Sequence, residues 1–270
     1  MDLGTEPVQT SGCYRAWQIA GHEPSAIDLA WYSRSDHSRP EQHDLLPFTE
    51  PSLALRRRYS REGETLEWDF VIFRAQPDGG RYDPAPGEEL FALRLAPEAM
   101  ETAFGLKAAD HLSVDCAVPA EIDRHLDQAK RLADRGDFQS AWASMFRSLR
   151  KVAEGIEVDR VGEAARLARE TKGMIGPSRI AEQAGLSPRH MRRTFLERLG
   201  LSPRAILRRQ RLTAAMLCAE QFDRPRWADL AAGHNFSDQA HLIRECRALT
   251  GHSPGEWHRI RRGLAVSFNT

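Results

Sequence analysis

Arg189, Arg192 and Arg193 lie within the stretch GLSPRHMRRTF, residues 185–195. Spacings of three and four place side chains on one face of a helix. A guanidinium is a planar fork of donors, suited to acceptors that come in pairs, such as the edge of guanine or the oxygens of a phosphate. A second polar set follows at Gln239, Ala240, His241 and Arg244. Glutamine pairs bidentately with adenine, arginine with guanine, and an alanine methyl meets at most a thymine methyl. The plain alternative is a solvated helix face, because arginine is mostly a surface residue. The choice rests on the elements that carry these residues.

Those elements come as a repeat. Ile180-Ala181 with Ala184-Gly185-Leu186-Ser187 returns fifty residues later as Leu230-Ala231 with His234-Asn235-Phe236-Ser237. His190-Met191-Arg192-Arg193-Thr194-Phe195 returns as His241-Leu242-Ile243-Arg244-Glu245-Cys246, and Gly200-Leu201-Ser202-Pro203 as Gly251-His252-Ser253-Pro254, both offset by fifty-one. One extra residue, placed within Asp238-Gln239-Ala240, accounts for the change of register. Three blocks repeated in order are the strongest signal in the chain.

Each copy reads as helix, tight turn, helix. In the first, Ser178 is the expected cap of a short helix that buries Ile180, Ala181 and Ala184. Gly185 supplies the turn, since glycine accepts a positive φ without steric cost. Leu186 plugs the corner, Ser187 caps the next helix and Pro188 fits its first position. Met191, Phe195 and Leu199 then face inward and the arginines outward, the plan of a helix-turn-helix. The second copy keeps the plan with Asn235 at the turn, Phe236 at the corner and Leu242 for Met191. Cys246 stands in the place of Phe195, a smaller anchor. Between the copies Ser202-Pro203 opens a linker helix to about Glu220, with Ile206, Leu212 and Met216 facing the cores, and Ser253-Pro254 opens a last helix that includes Trp257.

With its blocks RIAEQAGLSPRHMRRTFLERLGLSP, RQRLTAAMLC and LAAGHNFSDQAHLIRECRALTGHSP, this C-terminal third resembles the AraC/XylS family of bacterial transcription regulators. Asn235 for glycine, Cys246 for phenylalanine and Cys218 for a linker-helix leucine depart from the family pattern without removing a groove-facing donor. The resemblance implies that Arg189, Arg192 and Arg193 read bases in one major-groove segment, and Gln239, Ala240, His241 and Arg244 in the next. Ser187, Ser237, Arg208, Arg209, Arg259 and Arg261 are the expected phosphate contacts. Upstream, LLPFTEPSLALRR and LRLAPEAMETAFGL look like the small β sensor domain found ahead of some modules of this family.

The fold class expected is α+β: a small antiparallel sheet or partial barrel, a helical linker, and an all-α domain with two helix-turn-helix motifs. The boundaries expected are 1–118, 119–172 and 173–270, with the motifs near 178–199 and 227–250 and the linker helix near 203–220. In the first part LEWDFVIF sets Leu66, Trp68, Phe70 and Ile72 on one face, and ELFALRL does the same with Phe91, Leu93 and Leu95. Trp17, Trp31, Trp68 and Phe70 read as core rather than as a ligand pocket. A short helix is expected near Pro97–Phe104. Residues 119–172 turn to a helical period, with one stripe at Ile122, Leu126, Ala129 and Leu132-Ala133 and another at Phe138, Ala141-Trp142, Met145, Leu149 and Val152. Arg135-Gly136-Asp137 separates them as a turn, not as an adhesion motif. Both an antiparallel helical pair and a surface for a second subunit fit these stripes.

The formal net charge is zero, yet residues 178–262 hold 16 arginines and 8 acids, a net of +8, against 22 bases and 30 acids elsewhere. A basic third joined to an acidic remainder is the pattern of a DNA-binding module attached to something else. Cys13, Cys116, Cys218 and Cys246 are too scattered for a disulfide framework or a zinc site, and His22, His37, His43 and His111 show no ligand spacing, so no metal and no cofactor is expected. No apolar run reaches a membrane span and no secretion signal is read, which sets the expectation of a cytoplasmic protein. The chain is read as no enzyme, lacking a G-x-S-x-G elbow, a dinucleotide loop, a P-loop and H-E-x-x-H. The expected partner is double-stranded DNA, with a small-molecule effector, RNA polymerase and a second copy of the chain as further candidates. The rival classes are an architectural DNA binder and an enzyme fused to a DNA-binding module.

Overall fold

The computed structural model describes residues 9–11, 14–18, 27–37, 43–73, 78–105, 107, 109, 116–118, 120–153 and 157–266. Cys13, His22 and His111 lie outside them, as do the first eight residues. The chain divides into two compact units: Met1–His43, Glu50–Ala75 and Asp83–Val158 form the first, and Asp44–Thr49, Gln76–Tyr82 and Asp159–Thr270 the second.

The strands, in chain order, are β1 (Gln9–Ser11), β2 (Tyr14–Gln18), β3 (Ile27–Arg34), β4 (His43–Leu45), β5 (Ser52–Tyr59), β6 (Thr65–Phe73), β7 (Gly80–Tyr82) and β8 (Glu88–Leu95), then β9 (Cys116–Ala117) after helix α1 (Pro97–Phe104). Seven make one sheet in the order β1-β2-β3-β8-β5-β6-β9, while β4 pairs with β7. The register lines up apolar rungs: Ile72 on β6 faces Leu53 on β5, which faces Leu93 on β8, which faces Ala30 on β3. All four are fully buried. A neighbouring rung runs Phe70–Leu55–Phe91–Tyr32. Alternating residues share a sheet face, so each rung delivers its side chains to the same core.

That core is closed by α1, α2 (Ala120–Asp123), α3 (Asp127–Asp134) and α4 (Phe138–Ala153). Ile122, Leu126, Ala129 and Ala133 join it, as do Phe138, Ala141, Trp142, Met145 and Leu149. Both helical stripes are therefore covered within the chain by the sheet. The turn between α3 and α4 falls where expected, with the Asp137 carboxylate accepting from the Ser140 N–H at 3.1 Å. Trp68 and Phe70 pack on the core, as expected for strand residues, and the Trp31 indole N–H donates to Ser52 Oγ at 3.1 Å. Leu66 departs from the expected face: at 68% exposed it sits beyond the last apolar rung, where β6 turns back toward Tyr59.

The second unit is built from α5 (Arg160–Glu170), α6 (Pro177–Gln183), α7 (Pro188–Leu199), α8 (Pro203–Ala219), α9 (Trp227–Gly233), α10 (Gln239–Thr250) and α11 (Pro254–Val266). The repeat is visible in these bounds. Helices α6 and α9 are offset by fifty residues, while α7 and α10, like the starts of α8 and α11, are offset by fifty-one. Two boundaries differ from the expected ones. The helical stretch 119–172 is split: α2 to α4 belong to the sheet, but α5 belongs to the second unit, where Val161, Ala164, Ala165 and Ala168 are buried. Small side chains on three of its turns let α5 lie close against its neighbours. In addition, β4 and β7 leave the sheet's part of the chain to join the second unit. Leu46 enters the core with Leu212, Met216, Phe236, Leu242, Cys246 and Trp257. Gly79 passes so close that a Cβ there would stand 2.7 Å from the Leu249 carbonyl oxygen.

The rung geometry sets an expectation for stability. Leu53→Ala, at the centre of the four-residue rung, costs about 2–5 kcal/mol in denaturant unfolding of the full chain, whereas Leu66→Ala stays within about 0.5 kcal/mol.

Candidate nucleic-acid interface

Each helix pair of the second unit turns on one residue in left-handed backbone. Gly185 has φ +65° and Asn235 has φ +57°. The chain then closes the corner the same way twice: Leu186 N–H donates to the Ala181 carbonyl at 2.8 Å, and Phe236 N–H to the Ala231 carbonyl at 2.9 Å. The following helix is capped by a side chain in both copies. Ser187 Oγ accepts from His190 N–H at 3.2 Å, and the Asp238 carboxylate from His241 N–H at 2.6 Å. That hydrogen bond first, with help from Ser237 and Arg244, holds the Asp238 carboxyl below its ordinary range. The cap of the second copy is thus Asp238, fifty-one residues from Ser187, and Ser237 is not its counterpart. The extra residue falls just before this cap rather than after it. Ser178 is likewise not a cap, because α6 starts at Pro177 with Gly176 in the capping position.

Helix α7 buries Met191, Thr194, Phe195 and Leu199. Its opposite face exposes Arg189, Arg192 and Arg193, and the His190 ring lies 3.4 Å from Arg193 Nη2. Helix α10 buries Leu242, Cys246 and Leu249 and exposes Gln239, Ala240 and Arg244. The structure therefore brings six of the seven expected base readers to the exposed faces of two equivalent helices. His241 is the exception. It is half-buried, its Nδ1 accepts from Ser237 N–H at 3.3 Å and lies 3.1 Å from Ser237 Oγ, and its ring meets Phe236 edge-on at 5.4 Å. An Nδ1 that accepts leaves the proton of a neutral ring on Nε2, and that nitrogen stands 3.7 Å from Glu245.

The expected phosphate contacts divide. Ser187, Ser237 and Arg259 are exposed. Arg209 and Arg261 are 8% exposed and turn inward. Arg209 donates to Asp78 at 2.6 Å and to the Ala205 carbonyl at 3.1 Å, and Arg261 pairs with Glu220 at 3.1 Å. Buried charges hold such partners because solvation has been lost, so these two arginines are removed from the DNA-facing set. Arg208 is half-exposed and its Nε donates to Glu245.

Two braces were not legible beforehand. The first copy is held by α5, where Asp159 caps Gly162 at 2.8 Å and pairs with Arg198 at 2.6 Å, and Arg160 reaches the Gly185 carbonyl at 3.3 Å. The second is held by Asp44–Thr49 and Gln76–Tyr82, through Asp78 on Arg209, Thr49 on Gln210 at 3.3 Å, and Asp44 3.5 Å from His252. Neither partner carries a local motif. Asp238 was recoverable, since the fifty-one-residue offset points from Ser187 to it.

Gly251-His252-Ser253-Pro254-Gly255 does have the G-x-S-x-G spacing, contrary to the expectation that it is absent. It is no nucleophile elbow, which needs a strand leading into a helix. Here Ser253 Oγ accepts from Glu256 N–H at 3.3 Å while Glu256 Oε2 accepts from Ser253 N–H at 2.7 Å, a capping box at the start of α11. No group of three or more histidine, cysteine or acidic residues is placed to hold a metal among the described residues. Among them, too, no helix is long and apolar enough to cross a membrane.

Comparison with known proteins agrees with the repeat. Residues 180–260 match the family described as a helix-turn-helix domain. No curated protein matches the chain. Among solved structures, ToxT from Vibrio cholerae O395 is similar at 8% identity and a TM-score of 0.47, covering 93% of this chain and 99% of that one. Wild-type ToxT of strain SCE256 bound to an unsaturated fatty acid is similar at 9% identity and a TM-score of 0.47, covering 97% and 99%. The C-terminal part of the chain is a helix-turn-helix domain of the AraC type, a DNA-binding module of transcription regulators.

The setting of the cysteines makes a chemical expectation. Burial pushes the Cys246 thiol up to about 11, whereas Cys218 is only half-buried. The thiolate is the reactive form, so a pKa raised this far keeps Cys246 protonated through neutral and mildly basic pH. Iodoacetamide at pH 8 alkylates Cys218 well before Cys246 in the folded protein, and mass spectrometry of the digested protein reads the order.

Proposed function

We propose that the chain regulates transcription by reading an asymmetric DNA site with two recognition helices, α7 and α10, laid in adjacent major-groove segments. The observation that carries this is the duplicated presentation of polar side chains: Arg189, Arg192 and Arg193 on one helix, Gln239, Ala240 and Arg244 at the matching face of the other. Two copies in one chain differ in their outward residues, so the half-sites differ and a palindrome is not required. Helix α8 has 17 residues, about 25 Å at 1.5 Å per residue. That is a spacer of the size needed to set two helices in grooves about 34 Å apart.

In this reading Ser187, Ser237 and Arg259 hold the backbone while the base readers give specificity. His241 contributes through its position beside Ser237 more than through a free ring edge. The first unit adjusts how the module is presented, through a small-molecule effector or a second copy of the chain, and RNA polymerase is the downstream partner. Catalysis has no role in this account.

Selection of bound sequences from a random duplex pool by the full-length protein yields a bipartite motif on the order of 20 base pairs. Arg192→Ala relaxes specificity at one base step of one half and weakens binding to the parent site by about 1–3 kcal/mol. If Arg192→Ala left the selected motif and the affinity unchanged, the assignment of α7 to the groove would be wrong.

A further inference from the structure

Glu245 is the one acidic residue in the stretch Gln239–Thr250 that forms α10. It lies next to the exposed Arg244, and its side chain is only 18% exposed. The equivalent position in α7 is Thr194, whose hydroxyl is turned back to its own helix at the His190 carbonyl, 2.9 Å away. Only the second copy therefore carries a carboxylate at the inner edge of its recognition helix. A carboxylate this shielded from water needs a cation or several donors. Glu245 meets two neighbours from different elements: Arg208 on α8, whose Nε donates to Oε2, and His241 one turn back on α10, 3.7 Å from Oε1. The same linker helix places Arg211 on the preceding corner. Its Nη1 donates to the Asn235 carbonyl at 3.3 Å and its guanidinium lies 5.0 Å above the Phe236 ring.

We propose that Arg208 and Glu245 are a positioning pair for the second recognition helix: they hold α10 to the linker helix and set the presentation of Arg244 and His241, so that Arg208 acts on DNA specificity through Glu245 rather than by touching phosphate. This rests on the reading of α10 as a recognition helix. Three features call for such a strut in the second copy. Its turn uses asparagine in left-handed backbone, its helix is anchored by Cys246 where the first has Phe195, and its base readers include a ring already tied to Ser237. An ion pair between helices resists rotation of one about its axis, because a rotation that swings Glu245 away leaves a shielded carboxylate unpartnered. The pair also cancels a negative charge that would otherwise repel the phosphates beside Arg244.

The alternative role of Arg208, a phosphate contact, predicts the opposite response to one substitution. In the full-length protein Glu245→Gln keeps the side-chain shape and removes the charge. With Arg208 as a strut, the variant selects the first half-site as the wild type does, loses sequence information in the second half, and binds the complete site on the order of tenfold more weakly. The slope of log affinity against log salt stays the same, since no phosphate contact has gone. Arg208→Gln gives the same half-specific loss at the same slope, and the retained first half shows that both variants are folded. With Arg208 as a phosphate contact, Glu245→Gln frees the guanidinium and binds as tightly as the wild type or more so, while Arg208→Gln weakens all sequences alike and flattens the slope by about 0.9. That result overturns the pair. A wild type that selects no sequence at all overturns the reading of α10 and the pair with it, and is distinguished from the former by the missing first half-site.

Discussion

The DNA-binding unit depends on a single backbone conformation used twice, the left-handed residue between the helices of each pair. A β-branched or bulky residue resists that region by about 1–2 kcal/mol, which is why glycine serves first and asparagine second. The left-handed residue turns the chain sharply enough for the next N–H to reach back to the first helix, at 2.8 Å from Leu186 and 2.9 Å from Phe236. At the second corner it also drives that residue into the core as a plug, with Phe236 left 5% exposed, whereas Leu186 at the first stays half-buried. The angle between the helices, and hence the direction in which Arg192 or Arg244 faces, follows from this corner. The inward residues then only need to fill the space it defines.

The two copies solve one packing problem with different means. In the first, glycine makes the corner without strain, Phe195 fills the core, and α5 closes the outside through Asp159 on Arg198 and Arg160 on the Gly185 carbonyl. In the second, asparagine holds the same φ, and its side-chain amide donates to the Met174 carbonyl at 3.0 Å. Cys246 is smaller than phenylalanine, yet it is fully buried because Leu46, Phe236 and Trp257 share the same core. A residue drawn from the segment Asp44–Thr49, just after β4, thus makes up volume that the repeat itself lacks. The second copy owes part of its integrity to chain segments that precede it by more than a hundred residues, whereas the brace described for the first, α5, adjoins it in the chain.

Much of this was legible because repeats and caps are local. The helix bounds of both copies, α1 at Pro97–Phe104, the turn at Arg135-Gly136-Asp137 and the apolar face of β8 all follow from periodicity and from residues that punctuate it. Charge was harder to place. Arg208, Arg209 and Arg261 look alike as exposed helix residues in the sequence, but their environments come from Glu245, Asp78 and Glu220, partners between 37 and 131 residues away. Nothing in a helical period records such a carboxylate. Leu66 failed for a related reason: alternation marks a face of a strand but not how far along it the neighbouring strands still cover that face.

The same partition decides what the net charge of the basic third means. Seven of its arginines, Arg179, Arg198, Arg208, Arg209, Arg226, Arg261 and Arg262, are paired with carboxylates of the second unit. They fasten helices together or stabilise a turn within one, and their charge is already answered. Arg189 and Arg192 on α7 have no such partner among the described residues, Arg244 on α10 acts on the Asp238 carboxylate without forming an ion pair with it, and all three stand exposed. A guanidinium already engaged by a carboxylate gains little from a phosphate, because it must first give up that partner. An unengaged one exchanges only water and counterions. The excess of +8 is therefore not one population: seven arginines build the module, and of the nine others four, Arg189, Arg192, Arg193 and Arg244, stand exposed on the faces of α7 and α10 that the two left-handed corners turn outward.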